Sequence, residues 1–118
     1  MDRSMLQETI ASGETLTVEF KSDRDPLGDS ELLDAVTCMA NAQGGVLLIG
    51  VEDDGEVTGL HADHLGSQPE LLAALIANRT VPPLTVEVTF EQPAAGESEK
   101  AVAVIRIPAS TQPIATSD

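Results

Sequence analysis

Two short segments hold acids that could do chemistry if neighbouring strands bring them together. Glu14 and Glu19 belong to Glu14-Thr15-Leu16-Thr17-Val18-Glu19-Phe20-Lys21, and Asp53 begins the acidic turn Asp53-Asp54-Gly55. Oxygen ligands of this kind suit Mg²⁺ or Mn²⁺. An ion held among them could activate water and offset phosphate charge. The plainer reading makes Glu14 and Glu19 solvated strand residues and gives Asp53 only a turn to form. Lys21, Arg24 and Arg79 are the cations that could touch a phosphate; their ordinary role is an exposed ion pair worth under roughly 1 kcal/mol.

Other reactive types carry less. His61 and His64 flank Asp63 but lack cysteine partners, so they read as surface loop residues rather than zinc ligands. Cys38 falls inside a helical pattern with no base partner and reads as a small core hydrophobe. Gly44-Gly45 runs from helix into strand, the reverse of a phosphate loop, and no Gly-Lys-Ser/Thr follows. The pair serves better as a helix stop and a close strand approach.

The elements that must position these residues are legible in the hydrophobic pattern. Residues 1–13 form a short amphipathic helix carrying Met5, Leu6 and Ile10, with Gly13 as its stop. Leu16, Val18 and Phe20 alternate with polar residues as a half-buried strand, placing Glu19 and Lys21 on the opposite face. Ser22 to Asp29 is a polar loop. Asp29 or Ser30 can cap a helix whose inner face holds Leu32, Leu33, Val36, Met39 and Ala40. Val46 to Val51 is apolar at every position, a central strand covered on both sides. Asp54-Gly55 returns the chain through Val57 to Gly59. Ser67-Gln68-Pro69-Glu70 is a capping box opening a second helix, and Pro82-Pro83 ends it. Two further strands follow, Leu84 to Phe90 and Val102 to Ile107, joined by a loose segment from Pro93 to Glu99. The fold class is α+β: a small mixed sheet with two main helices, in the order β-α-β-β-α-β-β, behind a short N-terminal helix. After Pro108 no packed element is expected, so 109–118 reads as a tail or as a linker cut from a longer protein.

Composition bounds the function. The 118 residues make one domain, with 20 acidic residues against 6 basic and a net charge of −14. Nucleic-acid binding normally rests on clustered Lys and Arg, and the six here are scattered. Trp and Tyr are absent and there are two Phe, so the core is aliphatic. No apolar run approaches a membrane span, no signal pattern opens the chain, and one cysteine cannot close an internal disulfide. These features point to a cytoplasmic protein.

The two marked segments together resemble the Schlafen-type AlbA domain family. The residues concerned are Glu14, Glu19-Phe20-Lys21, Ala40-Asn41, Gly44-Gly45, Ile49-Gly50-Val51 and Asp53-Asp54-Gly55, and the resemblance covers residues 14 to 108. It implies a DNA-binding regulatory domain at the N-terminal part of a larger transcriptional-regulator-like or helicase-like protein. It also implies an alternative, metal-dependent cleavage of RNA or DNA, with Glu14, Glu19 and Asp53 as the three carboxylates. A third reading is a dimerisation or interaction module, since related Alba folds imply a homodimer and sheet edges can pair between chains.

Overall fold

The computed structural model describes residues 1–97 and 100–117. Along the chain come α1 (Arg3–Ser12), β1 (Val18–Lys21), α2 (Asp29–Asn41), β2 (Gly45–Ile49), α3 (Ala62–Leu65), α4 (Pro69–Asn78), β3 (Thr80–Val81), β4 (Glu87–Glu91), β5 (Val102–Ile107) and β6 (Ala115–Thr116). The main sheet has the order β1-β2-β5-β4, with β1 parallel to β2 and the other pairs antiparallel; β3 and β6 form a separate two-stranded ribbon. This is the expected α+β class with a mixed sheet.

Why β2 is apolar throughout is now plain. Leu47 and Ile49 face the helices α2 and α4, in a core with Leu33, Val36, Ile76 and Ile105. Leu48 faces the other way, in a second cluster with Leu6 of α1, Phe20, Val51, Val102 and Val104. The sheet is therefore the middle of three layers, and complete burial of Leu6 contributes about 2 kcal/mol. Asp2 starts α1 by accepting the Met5 amide at 2.8 Å, and Gly13 ends it. Met5, read as part of its inner face, is 52% exposed.

Several boundaries differ from the sequence reading, each for a local reason. Gly28, not Asp29 or Ser30, caps α2, so Asp29 and Glu31 fall in its first turn beside the positive helix end. Gln68 caps α4 without a side-chain bond and the Ser67–Glu70 box does not form; this start puts Pro69 at the first helical position, where its missing N–H costs nothing. Val57 makes only a single bridge to Val51 instead of a strand. Leu16 is 85% exposed, since the chain turns between Thr15 and Val18 before the strand begins. Cys38 is exposed rather than a core residue.

The largest correction concerns the C-terminal stretch. Ile114 is 7% exposed, β6 pairs with β3, and the Ser110 amide donates to Ala40. A segment poor in apolar residues packs because its backbone is hydrogen-bonded to elements far back in the chain. Ser98 and Glu99, part of the expected loose connection between β4 and β5, and Asp118 lie outside the described residues.

Candidate functional site

Glu14 stands just before β1 and folds back along it. Its Oε1 accepts the backbone amide of Phe20 at 2.8 Å. Beside it the Thr15 and Val18 backbones bond each other in both directions. Together they close the outer edge of β1. Glu19 projects from the strand on the α2 side, where Lys21 Nζ lies 4.0 Å from Glu19 and 3.6 Å from Glu31 of α2. Glu14 and Glu19 line one cavity of about 340 Å³ between β1 and α2, with Leu16, Val18, Cys38 and Met39.

Asp53 is placed elsewhere. It lies exposed on the turn after β2, where Glu52 and Glu56 exchange a backbone bond, and it does not line that cavity. Among the described residues no group of three His, Cys, Asp or Glu is arranged to hold a metal ion. With one oxygen of Glu14 committed to a backbone amide and Glu19 beside Lys21, the three carboxylates do not fit Mg²⁺ or Mn²⁺. No cleavage step follows from them.

The carboxylate that does meet the end of β1 is Glu52, which the sequence reading passed over. Thr58 Oγ1 donates to its Oε2 at 2.6 Å, and Arg24 Nε lies 3.9 Å away. Its pKa is lowered below the ordinary value, chiefly by the Thr58 hydroxyl, then by Ser22, with Arg24 adding to them against the opposing effect of burial. Arg24 also reaches Glu56 at 3.5 Å. Lys21 and Arg24, both candidate phosphate ligands, thus sit among acids. Arg79 is exposed at the end of α4, its carbonyl accepting from Ser117.

A second acid was also missed. Asp23 is fully buried, and its carboxylate accepts from the Leu27 amide at 2.7 Å, from the His61 amide at 2.8 Å, and from His64 Nδ1 at 2.7 Å. His64 is accordingly a partly buried partner rather than a free surface residue. The sequence signal was a polar residue beside a strand end, too common to single out.

The family model described as "Schlafen, AlbA_2" matches residues 14–118. This chain belongs to that family. The AlbA_2 domain also resembles solved structures. One is the N-terminal domain of a Nitrosomonas europaea protein described as related to the ATP-dependent DNA helicase RecG: 24% identity, TM-score 0.68, covering 100% of this chain and 82% of that one. Another is the DIP2311 protein of Corynebacterium diphtheriae: 22% identity, TM-score 0.69, covering 97% of this chain but only 27% of that one. No curated protein matches.

Within this AlbA_2 domain the motif residues have structural work. Asn41 clasps the Ile114 backbone through both side-chain atoms, at 2.8 and 2.7 Å. Gly44 takes φ +72° after α2 and Gly45 φ +137° against Thr17; a Cβ on Gly45 would stand 2.2 Å from the Thr17 carbonyl oxygen. The Gly-Gly pair admits two neighbouring backbones and is not an anion cradle.

Proposed function

We propose that this AlbA_2 domain is a nucleic-acid-binding regulatory module of a larger, transcriptional-regulator-like protein, with DNA the favoured ligand. The observation that carries the reading is membership of the family across residues 14–118. It is supported by a fold shared with the N-terminal domain of a RecG-related protein. The chain's own chemistry limits the mode. Lys21 and Arg24 are held by exposed or half-buried carboxylates, and pairs of that kind are weak enough for a phosphate to replace the acid. With Arg79 they offer few phosphate contacts, so binding by this domain is weak and is completed by surface from the rest of the protein.

The metal-dependent nuclease reading loses its support because its three acids do not gather. The homodimer reading meets a closed edge at β1 and an acidic one at β4.

A gel-shift titration at low salt tests the proposal, with labelled duplex DNA and with RNA of the same length. Weak shifts that vanish as salt rises, and that weaken further in Lys21→Ala/Arg24→Ala/Arg79→Ala, are expected. Absence of any shift at micromolar concentrations, by this domain and by the longer protein containing it, would end the proposal.

A further inference from the structure

We infer that the outer edge of β4 is a docking site for an extended protein segment in which Lys or Arg alternates with apolar residues. The two edges of the main sheet are treated differently by the chain. At β1 the outward Phe20 amide is taken by Glu14, and the outward amide and carbonyl of Val18 by Thr15. At β4 nothing equivalent occurs. Among the described residues its backbone pairs only with β5. The nearest bonds from outside, from Arg3 to the Gln92 carbonyl and from Gln7 to the Pro93 carbonyl, fall beyond its end. An unpaired edge of five residues is a template for one more strand.

The side chains of β4 specify that strand. Alternation puts Glu87, Thr89 and Glu91 on one face and Val88 and Phe90 on the other, where they pack against the main core. Glu87 has Arg106 opposite it on β5, while Glu91 has Val102; among the described residues neither acid is in a salt bridge. An incoming strand therefore gains most from basic residues opposite the acids and apolar ones beside Val88 and Phe90. A second copy of this chain is a poor occupant. An antiparallel β4 centred on Thr89 sets Glu87 against the copy's Glu91, and both chains carry a net charge of −14. That same charge draws a basic segment from a distance.

The test is a titration of the ¹⁵N-labelled protein with the peptide acetyl-Lys-Val-Lys-Val-Lys-Val-amide. The expected result is movement of β4 amides, with alternate ones gaining protection from hydrogen exchange. Block-ordered and proline-interrupted peptides of matched charge should bind at least tenfold more weakly. Glu87→Lys with Glu91→Lys should weaken the alternating peptide at least tenfold; Asp25→Lys with Asp34→Lys, an equal charge change at exposed positions elsewhere, should weaken it far less. Three outcomes overturn the proposal. One is equal loss in both double variants, which marks diffuse attraction only. Another is equal binding of the proline-interrupted peptide. The last is a concentration-dependent dimer whose β4 amides are already protected without peptide.

Discussion

The carboxylate of Glu14 accepts the backbone amide of Phe20 at 2.8 Å, six residues along the chain and across the open side of β1. A residue that the family resemblance offers as a metal ligand is thus an edge closure. Glu14→Ala leaves that amide to water and should cost about 1 kcal/mol in urea denaturation. Glu14→Gln, which keeps an acceptor oxygen, should recover most of the loss. Sedimentation should also show the alanine variant associating with rising concentration, because the edge it exposes can pair. A Glu14→Ala protein as stable as the parent would remove the closure from the account.

Gly45 makes a sharper case. Its φ of +137° and the 2.2 Å approach of a would-be Cβ to the Thr17 carbonyl oxygen leave no room for a side chain. Gly45→Ala must push β1 away from β2 at the point where their pairing begins. The expected loss is above about 3 kcal/mol, seen as a large fall in Tm or as failure to recover folded protein. A mild effect would show that the two strands separate easily there.

How far the fold was legible follows from how local each signal is. The all-apolar run Val46 to Val51, the Gly44 stop and the Asp54-Gly55 turn each concern neighbouring residues, and they were read correctly. Leu16 misled because its alternation with Val18 is real in sequence, yet the chain bends between them and leaves it 85% exposed. The acids were harder. Glu14 and Glu19 line one cavity, but only Glu19 lies in β1; Glu14 comes before the turn that precedes it. Asp53 depended on where a turn aims, and the turn aims Glu52 inward instead. Asp23–His64 and Asn41–Ile114 join residues 41 and 73 positions apart, and no pattern within one segment announces such partners.

Asp23 gathers three hydrogen bonds on one buried carboxylate. Its buried carboxylate satisfies Leu27, His61 and His64 together, tying the loop before α2 to α3. Asp23→Ala strands two backbone amides and should cost about 3 kcal/mol or more. His64→Ala removes a single donor and should cost about 1 kcal/mol. Chemical denaturation of the two variants gives the ranking directly; equal losses would mean that His64, rather than the backbone amides, holds the carboxylate in place.

Acid should act on Glu52 in a defined direction. Its pKa in the folded chain lies below the ordinary value of 4.5 because the Thr58 and Ser22 hydroxyls and Arg24 favour the charged form. A lowered carboxylate contributes stability that is fully present above the unfolded value and lost as pH falls through the folded one. Urea midpoints measured from neutral pH down to about pH 3 should therefore fall less steeply below about 4.5 in Glu52→Gln than in the parent. Thr58→Val should give an intermediate slope. Identical slopes in all three would mean that other carboxylates carry the whole acid dependence.

Asn41 decides whether residues 109–117 are part of the domain. Its Nδ2 donates to the Ile114 carbonyl while its Oδ1 accepts the Ile114 amide, a bidentate clasp that only an amide side chain can make. The buried Ile114 side chain and the β3–β6 ribbon then complete the seam. Asn41→Ala should lose about 2 kcal/mol of local stability, and Asn41→Asp should do no better, since a carboxylate accepts but cannot donate. Hydrogen exchange separates this local release from general unfolding: amides of Ile114 and Ser117 should lose protection while those of β2 and β5 keep it. If the terminal amides stay protected in Asn41→Ala, the ribbon and Ile114 hold the segment unaided. The clasp is then a consequence of packing and not its cause.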